Sequence, residues 1–486
     1  MASAPRTRAR DGGAFLCAAC EATSLQWSGR CPACGEWNTL GPAPVRRGKA
    51  QSRPAEGPPA LALVDVSSDG THPLPTGVGE VDRVMGGGVV AGSVTLLFGP
   101  PGIGKSTLLF QVLSSLAGTG LDVMLASAEE SLAQVRGRAS RIGAVPRNLL
   151  AIEGPDVEAI EAAVERHRPA LVVVDSLQSV SDPELGQPAG SLAQVRACVE
   201  RLTRLAKSSG APLLLVGHVT KDGDLAGPRA VEHLVDTVLS FDGDRHHALR
   251  VLTSVKHRFG PTGEVGIFEM RDDGLRAVPD PGPLLLGDRM AGVPGSVVVP
   301  VLQGRRPLLV EVQALLGPGT GGGTGPPRPQ TLGIDAARAN LLLAVLACRT
   351  MVEIPSSAQM FAAAVGGITV TEPAADLAVA LAMASVITDR PLAPDVVVFG
   401  ELGLAGEVRT VPGADRRLAE AHRAGFTRAL VPASALHTSV APPPGMVVHG
   451  VRTLAEALTM ARSAAGARGG TGTMPGWPTV PAAASL

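Results

Sequence analysis

From Leu61 to about Leu286, short aliphatic and β-branched runs alternate with amphipathic stretches: VTLLF, STLLFQVLSSLA, DVMLAS, LVVVD and PLLLVGH. This strand-then-helix rhythm predicts a parallel β-sheet flanked by helices. A second apolar region begins near Val297. It breaks at GPGTGGGTGPPRP, which reads as a surface loop, and resumes as DAARANLLLAVLACR, which reads as a helix. Ahead of the first region, GPAPVRRGKAQSRPAEGPPA has no hydrophobic periodicity and reads as a linker. After about Ala461, RSAAGARGGTGTMPGWPTVPAAASL buries too little apolar surface to offset the entropy of ordering, and predicts a disordered tail.

Composition adds constraints rather than a function. The 486 residues exceed what one core serves, so several domains are expected. Apolar residues at 45% exclude wholesale disorder, and an aromatic content of 2% with no Tyr means cores of Val, Leu, Ile and Ala. A net charge of -1 neither marks nor excludes a nucleic-acid binder, because a ring can confine its cations to a channel. The N-terminus MASAPRTRARDGG has no apolar core, and no later stretch offers about 18 uninterrupted apolar residues. A cytoplasmic chain without a membrane partner is expected.

Two motifs carry chemistry. Cys17-x2-Cys20 and Cys31-x2-Cys34 are thiolate pairs ten residues apart, the spacing that closes a tetrahedron around Zn2+. Gly35, after the second pair, can take the positive φ that turns backbone N–H groups towards sulfur. Trp27, Arg30 and Trp37 sit among these pairs, the tryptophans read chiefly as the small domain's core, with base or phosphate contact as the other reading. The run Gly99, Pro100, Pro101, Gly102, Ile103, Gly104, Lys105, Ser106, Thr107 follows a strand pattern and opens a helical one, which makes it a P-loop for ATP. Its amides would wrap phosphates, Lys105 would reach the β and γ oxygens, and Ser106 would offer a hydroxyl to Mg2+. Asp175, ending LVVVD, is expected to hold the magnesium water shell. Glu129 is expected as the base for the attacking water, with Glu130 as its solvated neighbour, and His218 as a polar group near the γ-phosphate.

The cysteine head, GIGKST, AEES, VVVDSLQS, VGHVTKDG, LAGPRAVEHLVDTVLSFDGD and KHRFG together resemble the RadA family of bacterial DNA-repair proteins over nearly all of residues 14 to 460. The family's K-N-R-F-G reads here Lys256-His257-Arg258-Phe259-Gly260, with His in the place of Asn. The resemblance implies that Lys256 and Arg258 act in trans on a neighbour's ATP, as in DnaB-like ring helicases, within a homohexamer. It further implies single-stranded DNA in the channel and ATP-driven branch migration of recombination intermediates alongside a RecA recombinase. Lys221 and Arg229 become candidates for the DNA backbone or for the subunit interface. The C-terminal region is similar to the proteolytic domain of Lon, whose Ser and Lys positions are assigned to Asp376 and Asp415, so an inactive protease fold is expected. Arg338, Arg409, Arg416 and Arg417 are expected to form a basic outer surface on it.

The expected architecture is α/β: a RecA-like P-loop ATPase core, a small N-terminal four-cysteine zinc finger and a C-terminal α+β Lon-protease-like domain. The boundaries are 1–40 for the zinc-binding domain, 41–60 for the linker, 61–286 for the ATPase, 287–462 for the Lon-like domain and 463–486 for the tail. The expected activity is DNA-dependent ATP hydrolysis in recombinational repair. A DnaB-like helicase and a nucleotide-switched scaffold are the alternatives.

Overall fold

A computed structural model describes residues 15–20, 22–24, 26–42, 62, 64, 72–154, 156–218, 231–243, 249–318, 329–355, 358–436 and 441–465. Nearly all of the linker, the glycine-rich loop from 319, the segment holding Lys221 and Arg229, and the chain beyond 465 lie outside the described residues. Two compact units are present, divided after Ser67.

The first unit is a three-stranded antiparallel ribbon of β1 (Phe15–Cys17), β2 (Thr23–Ser24) and β3 (Leu40–Pro42), in the order β2-β1-β3. Its centre is Cys17, Cys31 and Leu40, with Phe15 packed against them. The expectation that tryptophan forms this core is wrong: Trp27 is 60% and Trp37 68% exposed. Strands of two or three residues leave no second layer in which an indole could be buried, and the sulfurs themselves occupy the middle.

In the second unit, β4 (Val94–Gly99), β5 (Val123–Ser127), β6 (Leu149–Glu153), β7 (Val172–Asp175), β8 (Leu213–His218) and β9 (Thr237–Asp242) form a parallel sheet. Three antiparallel strands that the periodicity did not foretell, β10 (Leu249–His257), β11 (Val265–Arg271) and β12 (Gly274–Ala277), extend it to the order β12-β11-β10-β9-β4-β8-β7-β5-β6. Side chains alternate across the sheet. Leu97, Leu125 and Val173 pack with α1 (Gly79–Val84), α2 (Lys105–Gly118) and α3 (Leu132–Ile142), while Leu96, Met124 and Val172 pack with α4 (Val157–His167) and α5 (Leu192–Ser209). Burial on both faces is what the continuous apolar runs require. Local chemistry fixes the helix ends: Ser131 and Gln134 form a capping box on α3, and Ser191 caps α5, which stops at Gly210 in the left-handed conformation.

After α6 (Gly282–Leu286) the chain builds a second sheet from β13 (Ser296–Gln303), β14 (Arg306–Pro318), β15 (Gln330–Leu332), β16 (Ala358–Ala364), β17 (Val396–Val398), β20 (Arg428–Pro432) and β21 (Val447–Val451). The remaining strands, β18 (Glu401–Leu402) and β19 (Val408–Arg409), pair with each other. The helices are α7 (Ala336–Arg349), α8 (Asp376–Thr388), α9 (Ala414–Arg423), α10 (Ala433–Leu436) and α11 (Leu454–Ala465). Helix α8 is buried along residues Asp376 to Ser385. Val265, Ile267 and Val278, from the edge of the first sheet, belong to the same apolar cluster as the second, so the two domains share a core. Among the described residues no helix is long and apolar enough to cross a membrane.

The basic outer surface expected on this domain is not formed as a group. Arg338 is bound by both carboxylate oxygens of buried Asp376, and Arg409 pairs with Glu407 at its own strand end. Arg417 is 1% exposed: it forks onto Glu372 at 2.7 Å, donates to the carbonyls of Pro300 and Pro412, and lies over the Phe399 ring. Helix α9 turns this position inwards, where a guanidinium can neutralise a carboxylate that also accepts the Leu302 N–H at 2.6 Å. Removing the buried guanidinium leaves the Glu372 carboxylate partly desolvated and without its charge partner. Arg417→Ala should therefore cost about 3–5 kcal/mol, read as an earlier midpoint in chemical denaturation, whereas Arg416→Ala, on the exposed side, should move it little.

Candidate functional site

The four thiolates of the ribbon converge. Sγ atoms of Cys17, Cys20, Cys31 and Cys34 all lie within 4.8 Å of one another, with Cys17 to Cys34 at 3.7 Å and Cys20 to Cys31 at 3.8 Å. Gly35 has φ 78°, and its N–H donates to the Cys31 carbonyl at 2.9 Å, which closes the second knuckle. The Thr39 hydroxyl, 3.2 Å from Cys17 Sγ, is the chief influence lowering that thiol, whereas Cys20, against the pull of the Ala22 backbone, is pushed up by the neighbouring thiols, as expected where four sulfurs crowd one site. This donor set fits a tetrahedral Zn2+. Cys31→Ser should reduce bound zinc from about one equivalent per chain to well under half, measured by metal analysis, while thermal unfolding of the larger unit is unchanged.

The second site lies at the carboxyl edge of the first sheet. β4 ends at Gly99, β5 leads through Ala128 to Glu129, β7 ends at Asp175 and β8 at His218. These strands are mutually parallel, so their C-terminal ends share one edge. The P-loop turns from β4 into α2 through Gly102 at φ 77° and Gly104 at φ 111°. A Cβ on Gly99 would lie 2.1 Å from the Phe241 carbonyl oxygen, and Gly104 holds a φ that L side chains rarely adopt, so the loop disfavours a side chain at either place.

Lys105 is buried and donates to the carbonyls of Gly99 at 2.8 Å and Pro100 at 3.1 Å and to His218 Nδ1 at 3.2 Å. Burial pulls its pKa down, and the charges of Asp175 and Glu129 pull it back up. With Nδ1 accepting from an ammonium, His218 carries its proton on Nε2, which faces Glu129 Oε1 at 3.4 Å. The same Glu129 oxygen accepts a short hydrogen bond from Ser176. Lys105, His218, Glu129 and Ser176 thus form one continuous chain. Glu130 is turned away onto Arg138 at 2.8 Å, which separates the two neighbouring glutamates.

Sequence reasoning missed Ser176 and Arg250. Buried Arg250, at the start of β10, donates to the Ile103 carbonyl at 3.2 Å and so supports the P-loop from the antiparallel extension. Neither sits in a motif that spacing alone would single out, although Ser176 follows Asp175 directly.

Lys256 and Arg258 lie elsewhere. Six residues beyond Arg250, Lys256 is roughly 20 Å further along the strand, where β10 pairs through Val238 and Thr237 with the start of β4. This is the amino edge of the parallel strands, opposite the P-loop. Lys256 donates to the carbonyls of Glu232 at 2.6 Å and Val235 at 2.8 Å, and burial lowers its pKa. Arg258 pairs with Asp236 at 3.1 Å and its side chain is 52% exposed. His257 between them points inwards: Nδ1 is 3.1 Å from the Thr237 hydroxyl, and burial holds the imidazole below its usual pKa, so it adds no third charge at neutral pH.

In the Lon-like domain, Asp376 is buried at the start of α8 and accepts from Arg338 and from the Leu402 N–H at 3.1 Å. Desolvation raises its pKa against the pull of Arg338. Asp415 is exposed in the first turn of α9.

Comparisons with known proteins agree with this layout. Residues 59–224 match the model of an AAA domain, residues 15–42 that of a rubredoxin metal-binding domain, and residues 362–453 that of the Lon protease (S16) C-terminal proteolytic domain. The chain is 42% identical to the DNA repair protein RadA of Bacillus subtilis strain 168, over 91% of its own length and 97% of that protein's. It is 45% identical to the RadA protein of Mycolicibacterium smegmatis, over 86% and 91% of the two lengths. The figure for the Salmonella typhimurium protein is 42%, over 95% and 99%. At these identities and with near-complete coverage of these relatives, the chain belongs to the RadA family of DNA-repair proteins.

Proposed function

We propose that the protein is a DNA-dependent ATPase of recombinational repair. It works as a homohexameric cytoplasmic ring that carries single-stranded DNA and moves branched intermediates alongside a RecA recombinase. In this reading the P-loop amides and Lys105 hold the ATP phosphates, and Ser106 and Asp175 hold Mg2+, which supplies charge neutralisation at the phosphates. Glu129 takes the proton of the attacking water, and His218, bonded to both Lys105 and Glu129, registers the γ-phosphate. Lys221 and Arg229 are retained as candidates for the DNA backbone.

One observation carries the ring. The cations of the KHRFG motif stand at the opposite sheet edge from their own P-loop, so they can counter charge on a transferring phosphoryl group only in another subunit's site. Self-assembly that repeats this contact head to tail closes into a ring. Peptidase activity is not supported: a buried aspartate already neutralised by Arg338 offers no activated nucleophile to an amide.

Steady-state ATP turnover by the assembled protein, with and without single-stranded DNA at one stated salt concentration, tests this reading. Stimulation by DNA is expected, and its absence from an assembled ring would favour the nucleotide-switched scaffold. Lys105→Ala should abolish turnover. Glu129→Gln should lower it at least about 100-fold while nucleotide binding, followed by a fluorescent analogue, is retained.

A further inference from the structure

The KHRFG segment is gripped from two sides. On one, the end of α1 abuts it: a Cβ on Gly86 would lie 3.3 Å from His257 Nε2, and one on Gly260 3.9 Å from Gly86 Cα. On the other, the turn between β13 and β14 of the Lon-like domain presses on the loop that follows Arg258. Arg305 N–H donates to the Gly263 carbonyl at 2.6 Å, Arg305 approaches Glu264 at 3.5 Å, and a Cβ on Gly304 would stand 2.2 Å from Gly263 O. Gly263 in turn donates to Ser254 on β10, the strand that bears Lys256.

Behind that turn lies a charge pair that none of the nucleotide chemistry uses. Arg306, the first residue of β14, donates to Glu80 Oε2 at 2.6 Å and to the carbonyls of Pro279 at 2.5 Å and Val265 at 3.3 Å. Glu80 on α1 is 5% exposed at its side chain and also accepts from Arg83 at 2.6 Å and from the Ile267 N–H at 2.8 Å. One carboxylate therefore ties α1, β11 and the Lon-like domain together, immediately beside the loop between β10 and β11. Apolar packing joins the two cores, and the buried charge-assisted bond from Arg306 to Glu80, whose carboxylate is itself forked by Arg83, adds a directional contact that specifies one register.

We infer that Arg306, held on Glu80, is a positioning residue: through the Gly304–Arg305 turn, the protease-like domain sets where Lys256 and Arg258 project towards the neighbouring subunit. This rests on the reading that those two cations serve a neighbour's nucleotide. It gives the inactive protease fold a task in ATP turnover, and it places that task on a single turn.

Subunit mixing tests it. Arg306→Met rings, confirmed as assembled by size-exclusion chromatography, should show kcat reduced at least about tenfold with KM for ATP changed less than about twofold. Mixed with Lys105→Ala subunits, which cannot turn over ATP but have an intact Arg306–Glu80 pair, they should regain turnover at mixed interfaces. Arg258→Ala rings mixed in the same way report on the underlying reading. Recovery with Arg258→Ala but not with Arg306→Met would place the defect in the variant's own nucleotide site and overturn the inference, as would an unchanged kcat. No recovery in either mixture would overturn the trans reading and the inference with it. If Arg306→Met does not assemble, Glu80→Gln takes its place with the same expected results, since it keeps an acceptor for the Ile267 N–H and removes only the charge.

Discussion

Strand direction is the constraint on which the rest depends. Because β4, β5, β7 and β8 run parallel, every strand end that carries a polar group after an apolar run arrives at the same edge, and Lys105, Glu129, Asp175 and His218 meet there without any one of them being near another in sequence. β10 runs the other way. Its first residues support the P-loop through Arg250, and its last carry Lys256 to the far edge. On the proposed reading, this one reversal of direction separates the cation that supports a subunit's own P-loop from those that would serve a neighbour's phosphates.

The Lon-like domain places ion pairs near the positions that the resemblance associates with catalysis. Positions that the resemblance associates with nucleophilic catalysis hold carboxylates, and one of them, Asp376, has become a buried structural anchor for Arg338. Glu372 and Arg417 form a second pair in the same region, with the guanidinium buried and the carboxylate partly so. Such pairs add little net stability over apolar replacements but penalise any other arrangement heavily, which would suit the positioning role inferred for this domain. The shared apolar cluster of Val265 and Ile267 with the second sheet makes the two domains one mechanical piece.

Much of the candidate site was legible in the sequence because its signals are local. A P-loop, a pair of C-x2-C knuckles and a carboxylate ending an apolar run each state their chemistry within eighteen residues or fewer. Of the two glutamates, Glu129 was selected by pattern and separated from Glu130 by geometry, since only the structure shows Glu130 turned onto Arg138. Pattern failed where a residue's surroundings come from distant segments. Trp27 and Trp37 read as core but are exposed, and Arg417 read as surface but is among the most buried side chains. Helix amphipathicity alone does not reveal which partner waits on the buried face.

By itself, the sequence determined the order of the parts, the zinc and phosphate chemistry, the alternation of strands and helices and, by resemblance, the family. Those depend on residue type and short spacing, which tertiary context does not change. The tertiary structure alone decided the antiparallel extension of the first sheet, the support of the P-loop by Arg250, the opposite placement of Lys256 and Arg258, and the union of the two domains across Glu80 and Arg306. Each of these joins residues far apart in the chain. The contact of Arg306 with Glu80 spans more than two hundred residues, a distance at which only the packed fold determines which charges meet.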